Sequence, residues 1–211
     1  VQDGEFVSIV GSNGSGKTSL LNIICGSIPV DAGKIIMHGT DITNMSEYRR
    51  HENIGRVFQN PSAGTSPGMT ILENMSLADN KGKPFGLGFG VNKKRIDFYR
   101  SELASLGLGL EDKLDVKMGA LSGGQRQAVA LLMATMTPLK FLILDEHTAA
   151  LDPKTAAKVL EISNKIVQEN HLTTLMITHN MRDAIRYGNR LIMMNEGHVI
   201  YDVRGEEKTK L

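Results

Sequence analysis

Short apolar runs alternate along the chain with longer stretches of helical spacing. Three apolar runs have the length of buried strands, namely "EFVSIV" (5–10), "FLILDE" (141–146) and "TTLMIT" (173–178). Helical spacing predicts helices at residues 17–25, 96–106, 125–136 and 154–170. Further strands are predicted at 33–42, 54–59 and 190–203, with turns at Gly39 and at residues 195–197. This alternation predicts an α/β domain with a largely parallel sheet.

Residues 60–119 differ in character from the segments on either side of them. Gly and Pro are frequent there, and "GKPFGLGFGVNKKR" (82–95) is typical of a loop. We expect residues 81–92 to be the least ordered part of the chain. The α/β domain is therefore predicted to carry a mostly helical insertion.

Composition and charge exclude several classes of protein. The 211 residues, 41% of them apolar, suit one globular domain with an inserted subdomain. The net charge of +1 gives no electrostatic reason to expect a nucleic-acid partner. No apolar run approaches the ~20 residues of a membrane-spanning helix, and we expect no signal peptide. Cys25 is the only cysteine, so no intramolecular disulfide can form, which fits a reducing compartment.

The segment "GSNGSGKTS" (11–19), called the phosphate loop below, follows the first predicted strand and leads into a helix. It matches the pattern G-x-x-x-x-G-K-[ST] in full. Glycines let backbone N–H groups curve around phosphate oxygens, Lys17 brings a point charge to the β- and γ-phosphates, and the Thr18 hydroxyl can ligate Mg²⁺. A nucleotide phosphate site, rather than a merely flexible turn, is therefore predicted at Gly11, Ser12, Asn13, Gly14, Ser15, Gly16, Lys17, Thr18 and Ser19.

Four residues with catalytic side chains stand where predicted strands end. Asp145 and Glu146 close "FLILDE", His179 lies just past "TTLMIT", and Gln59 follows "IGRVF". Ligands of parallel α/β sheets bind at the carboxyl ends of the strands. There Asp145 is expected to hold Mg²⁺ through water, and Glu146 to polarise the attacking water. His179 would donate to a γ-phosphate oxygen or to that water, and Gln59 would touch Mg²⁺ or the water. An Asp-Glu pair alone is more often a helix cap or a surface feature, so this prediction depends on the phosphate loop.

A second candidate anion site lies in "ALSGGQRQAVALL" (120–132). Ser122, Gly123, Gly124 and Gln125 stand at the predicted start of a helix, where a hydroxyl and bare backbone N–H groups can bind an anion. A helix start capped by Ser122 accounts for the same residues without a ligand. Two such sites on one chain are explained by two ligands, or by one ligand shared between chains.

Taken in order, the motifs resemble those of the nucleotide-binding subunit of ABC transporters over essentially the whole chain. The matching pieces are "GSNGSGKTS" (Walker A), Gln59 in "VFQNP" (Q-loop), "LSGGQRQ" (signature), "FLILDE" (Walker B), "ALD" at 150–152 (D-loop) and His179 (H-loop). The resemblance implies an ATPase that uses ATP and Mg²⁺. It also implies a RecA-like P-loop NTPase core at 1–59 and 137–211, with a small antiparallel β region and an inserted helical subdomain at 60–136 that includes the signature.

In this family two subunits dimerise head to tail, and each ATP lies between the Walker A loop of one chain and the signature of the other. The resemblance implies that Ser122, Gly123, Gly124 and Gln125 bind the partner's nucleotide, and it adds Asp152 of the D-loop to the nucleotide-binding residues. ATP binding would close a homodimer, or a pair with another ATPase subunit, and hydrolysis would reopen it. This cycle would drive solute transport through separate membrane permease subunits.

Within the family, the chain is more similar to the stand-alone ATPases of bacterial uptake systems. The sequence "DEHTAALDPKTA" (145–156) is similar to that of ATPases paired with tryptophan- or tyrosine-type binding proteins. The resemblance implies a peripheral position at the cytoplasmic face of the membrane and an indirect partner, an extracytoplasmic solute-binding protein. Most members have proline where this chain has His147. Because the chain begins at Val1 rather than Met, we expect a fragment without the N-terminal strand whose aromatic residue stacks on adenine.

Three other functions fit parts of the pattern. A non-transport ABC ATPase would carry long coiled coils or a second cassette, and the sequence has neither. A P-loop small-molecule kinase does not explain "LSGGQRQ". A non-hydrolysing regulatory module predicts the loss of Glu146 or His179, and both are present.

Overall fold

The computed structural model describes residues 1–83, 90–91 and 93–210, which form two compact units. The first unit consists of Val1–Arg56, Leu139–Glu146 and the chain from Ile166 onward, and the second consists of Val57–Pro138 and His147–Lys165. Of the loop predicted at 81–92, residues 84–89 and 92 lie outside the described part. None of the described helices is long and apolar enough to cross a membrane.

The first unit contains a six-stranded sheet. Its strands are β1 (Phe6–Gly11), β4 (Ile54–Val57, whose last residue begins the second unit), β5 (Phe141–Asp145), β6 (Thr174–Ile177), β7 (Arg190–Asn195) and β8 (His198–Arg204), in the order β4-β5-β6-β1-β7-β8. β1 runs parallel to β6 and β7, β5 runs parallel to β6, and β8 is antiparallel to β7. The predicted, largely parallel α/β sheet is therefore confirmed. A separate antiparallel pair, β2 (Ile36–Met37) and β3 (Thr40–Asp41), forms around the predicted turn at Gly39.

The interior strands are almost continuously apolar because both of their faces are covered. One buried cluster contains Val7, Ile9, Ile143, Leu175 and Ile177. Burying an aliphatic side chain of this size contributes roughly 1.5–3 kcal/mol, so the cluster stabilises the strand ends that carry the candidate site. Cys25 packs in the same cluster, and burial raises the pKa of its thiol, as expected of a packing residue rather than a reactive one.

The helices of the first unit are mostly short. They are α1 (Lys17–Cys25), α2 (Glu47–His51), α7 (Met181–Arg186) and α8 (Glu206–Thr209). The bounds of α1 are those predicted from the sequence, whereas the other three were not predicted, because so few residues show no helical period. The start of α7 is set by Asn180, whose side chain accepts hydrogen bonds from the N–H groups of Arg182 and Asp183.

The second unit is helical. Its helices are α3 (Ile71–Asp79), α4 (Ile96–Ser105), α5 (Gly123–Thr135) and most of α6 (Pro153–Glu169), which ends in the first unit. α3 and α5 begin with capping boxes at Thr70 and Ser122, in which the cap and the third helical residue exchange hydrogen bonds. The helices predicted at 96–106, 125–136 and 154–170 are confirmed within two residues at each end.

The second unit extends beyond the predicted subdomain at residues 60–136, because it includes His147–Lys165. Two contacts account for this. His147 is buried with its Nε2 2.9 Å from Ser163 Oγ on α6, and Gly124 on α5 packs closely against Thr155 on α6. The division into a catalytic core and an inserted functional subdomain stays a prediction.

Candidate functional site

The phosphate loop connects the end of β1 to the start of α1. Gly16, the residue before the helix, has a φ of 96°, a left-handed conformation that glycine adopts at little cost. Gly11 lies so close to the carbonyl oxygen of Met194 that a Cβ would collide with it. No side chain of the described residues caps this end of α1, so the N–H groups of its first turn remain for an anion.

Lys17 lies inside the loop rather than in solvent, with 5% of its surface exposed. Its Nζ donates to the carbonyl oxygens of Gly11 at 2.8 Å and Ser12 at 2.9 Å, and it lies 3.3 Å from Ser15 Oγ. The ammonium therefore tethers the curved loop and places a positive charge beside the uncapped start of α1. This combination of charge and N–H donors suits a polyphosphate.

Asp145, the last residue of β5, is paired with Arg56 of β4. Arg56 Nη2 lies 2.6 Å from Asp145 Oδ2, and both side chains are largely buried. Arg56 Nη1 also donates to Asn22 Oδ1 on α1, at 3.1 Å. The guanidinium thereby links β4, β5 and α1. Neither Arg56 nor Asn22 was predicted from the sequence to be part of the site, although a charge inside the apolar run "IGRVF" indicates a buried ion pair.

Glu146 and His179 meet at the same edge of the sheet. The parallel register pairs Asp145 with Ile177, so β5 and β6 end side by side. His179 Nε2 lies 2.6 Å from Glu146 Oε1, and the Glu146 N–H donates to the Ile177 carbonyl at 3.1 Å. Glu146 has a φ of 47°, which is uncommon for a residue with a side chain and is often seen where function constrains the backbone. The structure thus brings two of the predicted catalytic side chains together.

Gln59 follows β4 in the second unit, and its side chain is exposed. The backbone next to it is held by α5, because Gln127 donates from Nε2 to the Phe58 carbonyl at 2.8 Å. Gln127 is almost completely buried. No role was predicted for Gln127 from the sequence, although it lies in "LSGGQRQ". Its hydrogen bond to Phe58 positions the segment that carries Gln59.

The signature segment, "LSGGQ" (121–125), leads into α5. Ser122 Oγ accepts from the Gln125 N–H at 3.2 Å, and the Ser122 N–H donates to Gln125 Oε1 at 3.1 Å. The serine is therefore a helix cap, and its exposed hydroxyl keeps its own hydrogen for a further acceptor. Gly123 is exposed, whereas Gly124 is buried where a Cβ would overlap the Thr155 methyl group. Packing thus requires glycine at position 124, whatever ligand its backbone binds.

Asp152 lies just before α6 and caps it. Its Oδ1 accepts from the Thr155 N–H at 3.1 Å, and hydrogen bonds from the side chain and backbone of Thr155 lower the pKa of the carboxyl. The exposed carboxylate is therefore ionised at neutral pH. Its contact with a nucleotide stays a prediction.

The oxygen donors at this edge of the sheet suit a hard divalent cation. Thr18 has its hydroxyl in the exposed first turn of α1, and Asp145 has a carboxylate oriented by Arg56. Mg²⁺ typically binds one or two protein oxygens and completes its shell with water and phosphate oxygens. Within the described residues, no group of three His, Cys, Asp or Glu side chains could hold a metal ion. The residues present therefore fit Mg²⁺ that is shared with a phosphate ligand.

Comparison with known proteins points to the family that the motifs indicate. The family model described as "ABC transporter" matches residues 1–149. A tyrosine transport ATP-binding protein of Clostridioides difficile is 51% identical over 211 residues, which are 100% of this chain and 84% of that protein. A phosphonates import ATP-binding protein of Lactococcus lactis is 33% identical over 216 residues, covering 100% of this chain and 86% of that protein.

The fold leads to the same family. An ATP-binding cassette solved as a dimer in a post-hydrolysis state, with ADP and phosphate bound, matches with a TM-score of 0.79 and 31% sequence identity. The match covers 97% of this chain and 87% of that chain. The predicted P-loop NTPase fold is thereby confirmed. The chain belongs to the ABC transporter family as an ATP-binding subunit, and it is an ATPase.

Proposed function

We propose that this chain drives an uptake transporter, by hydrolysing ATP in a head-to-tail dimer bound to separate membrane subunits. The observation that carries the proposal is the pair formed by Glu146 and His179, 2.6 Å apart, beside Asp145 at the end of β5. A module that only binds nucleotide has no need of a carboxylate and an imidazole held together in this way.

The pair would act on the water that attacks the γ-phosphate. Glu146 accepts a hydrogen bond from the water and orients it. The Nε2–H of His179 holds that carboxylate, and once ATP is bound it would donate to a γ-phosphate oxygen instead. Lys17 neutralises charge on the β- and γ-phosphates. Mg²⁺, when bound by Thr18 and through water by Asp145, would neutralise further phosphate charge, and Gln59 would touch the ion or the attacking water. Positioning and charge stabilisation supply most of the rate of phosphoryl transfer, and these residues would supply one chain's share of both.

The exposed end of α5 gives the dimer its physical basis. Ser122, Gly123, Gly124 and Gln125 would bind the γ-phosphate of an ATP held in the phosphate loop of a second copy. The Ser122 hydroxyl can donate to that phosphate, because its oxygen accepts the capping hydrogen bond and its hydrogen is not used in it. Asp152, just before α6, would approach the same nucleotide.

Loss of the γ-phosphate would reopen the dimer. A ligand shifts an equilibrium only through its differential affinity for the two states, and the γ-phosphate contact exists only in the closed state. A related cassette was solved as a dimer with ADP and phosphate bound, which supports dimerisation itself.

The relatives support the direction of transport and the class of partner. Two of them are named for tyrosine transport and for phosphonates import. We expect this chain to bind permease subunits at the cytoplasmic face of a bacterial membrane. An extracytoplasmic solute-binding protein would deliver an amino acid of the tyrosine or tryptophan type. Reconstitution with the permease tests the direction: solute should move toward the side that holds this subunit, and movement only away from it would contradict import.

Phosphate release by the purified chain tests the catalytic part. Glu146→Gln should still bind ATP, and it should lose hydrolysis by about 10²–10⁴-fold. Glu161→Gln, which changes an exposed carboxylate on α6, is the matched control and should leave the rate unchanged. Equal rates in the Glu146→Gln and wild-type proteins would contradict the proposal.

A further inference from the structure

We propose that Arg56 is a positioning residue for the metal ion that accompanies ATP, because it holds Asp145 and α1 in a fixed relation. The inference rests on the proposed ATP hydrolysis and deepens it. It assigns a task to Arg56 and Asn22, which lie outside the motifs that identify the family.

The Arg56 guanidinium donates to two separate elements of the first unit. Nη2 lies 2.6 Å from Asp145 Oδ2 on β5, and Nη1 lies 3.1 Å from Asn22 Oδ1 on α1. A guanidinium is planar and donates through a rigid fork, so the two acceptors are held in one geometry. A lysine ammonium on its flexible stem cannot reproduce that geometry.

The pair of Arg56 and Asp145 is shielded from water, since the two side chains are 11% and 16% exposed. Exposed ion pairs are screened by water and salt, whereas shielded pairs are screened much less. The Asp145 carboxylate is therefore held in one orientation. Carboxylates that ligate metals are commonly oriented by such outer partners, whose loss typically lowers metal affinity roughly 10–100-fold.

Asn22 connects this arrangement to Thr18. The two residues are one helical turn apart on α1, and residues at that spacing lie on the same face of a helix. One guanidinium thus joins the strand that carries Asp145 to the helix face that carries Thr18. Because Mg²⁺ demands near-ideal octahedral geometry, the separation of Thr18, which would ligate the ion, from Asp145, which would hold it through water, decides how well both can serve one ion. Arg56 therefore acts on the spacing of the ligands, and not only on the stability of the sheet.

Calorimetric titration with ATP, in EDTA and in excess Mg²⁺, tests this role without relying on turnover. Wild-type protein should bind ATP more tightly with Mg²⁺. Arg56→Met should bind ATP in EDTA as tightly as wild type does. The factor by which Mg²⁺ raises the ATP affinity should fall roughly 10–100-fold. If that factor is below about 10 in wild type, it should disappear in the variant. Arg49→Met, which removes an exposed cation from α2, is the matched control and should behave as wild type.

Two milder variants test the positioning role of Arg56 even if Arg56→Met folds poorly. Arg56→Lys keeps the charge without the planar guanidinium, and Asn22→Ala removes the Nη1 bond to Asn22 on α1 while leaving the bond to Asp145. In both variants, Mg²⁺ should raise the affinity for ATP less than it does in wild type. The proposal is overturned if Mg²⁺ raises the ATP affinity of the folded variants as much as that of wild type, even where their melting temperatures are lower. It is also overturned if the effect of Mg²⁺ increases, because Arg56 would then compete with the metal. A wild-type chain that binds ATP in neither condition would contradict the proposed function, and this inference with it.

Discussion

His179 Nε2 lies 2.6 Å from Glu146 Oε1 where β5 and β6 end. No local sequence pattern connects the two residues, and the parallel register of their strands brings them together. The contact makes them one unit. The imidazole holds the carboxylate that orients water, and the carboxylate holds the imidazole in the tautomer that carries its proton on Nε2.

Residues that act as a unit show non-additive losses. We expect Glu146→Gln, His179→Ala and the double variant each to lower kcat by a similar factor, about 10²–10⁴. Steady-state phosphate release measures these factors. His198→Ala, on the exposed edge strand β8, is the control. Losses that multiply in the double variant would show that the two residues act independently.

His147 should make the stability of the chain depend on pH. Burial lowers its pKa from 6.5 to about 4, so the folded state binds the proton less readily than the unfolded chain does. His147 therefore does not lower the free energy of unfolding at pH values well above 6.5, and it lowers that free energy as the pH falls from 6.5 toward 4. Near pH 5 the loss should be about 2 kcal/mol relative to neutral pH.

His147→Gln provides the comparison for that prediction. Ser163 Oγ donates to the Val159 carbonyl at 2.8 Å, so it accepts from His147, and a glutamine amide can supply the same donor without titrating. Urea denaturation near pH 7.5 and near pH 5 should show a smaller pH effect in the variant than in wild type. The same pH effect in both proteins would mean that His147 does not titrate as described.

Arg190 of β7 stabilises the first unit through two carboxylates. Its Nη1 lies 3.1 Å from Glu5 Oε2, and its Nη2 lies 2.7 Å from Asp202 Oδ2 on β8. Burial alone would raise the pKa of Glu5, but hydrogen bonds from Gln2 and Arg190 lower it overall. Arg190→Met would leave the buried Glu5 with the Gln2 N–H and with Arg204, 3.7 Å away, so we expect a loss of roughly 1–3 kcal/mol in the free energy of unfolding. The exposed Arg182→Met is the control, and equal stabilities of the two variants would contradict the prediction.

Gly124 should be intolerant of substitution because of Thr155. An alanine methyl group would overlap the threonine methyl group, which should cost about 1–3 kcal/mol of stability. Thr155→Ser removes that methyl and keeps the hydroxyl, so the double variant should regain most of the loss. Urea denaturation of the four proteins checks this, and no recovery in the double variant would refute the packing explanation.

The main elements and the order of the motifs could be predicted from the sequence because each has a local cause. The buried runs that became β5 and β6 are apolar over their whole length, since both faces of an interior parallel strand are covered. The bounds of α1 follow from the phosphate loop before it and from Gly26 in the left-handed conformation after it.

What escaped prediction depends on distant partners. Arg56 is part of the site only because β4 lies beside β5 and α1 lies within reach of its guanidinium. The left-handed backbone of Glu146 and the burial of His147 likewise follow from the packing of neighbouring elements. Periodicity also failed for α2 and α7, which are too short to show it.

The central claim is that the signature segment binds the nucleotide of a second copy. Size-exclusion chromatography of Glu146→Gln, with and without MgATP, tests it most directly. This variant should bind ATP without hydrolysing it, so a dimer should form only when MgATP is present. Adding Ser122→Arg should abolish the dimer, because a long cation would replace the exposed hydroxyl at the start of α5. Ser101→Arg, at an exposed position on α4, is the matched control and should leave the dimer intact. A MgATP-dependent dimer that survives Ser122→Arg, or a monomer in the presence of bound MgATP, would contradict the account.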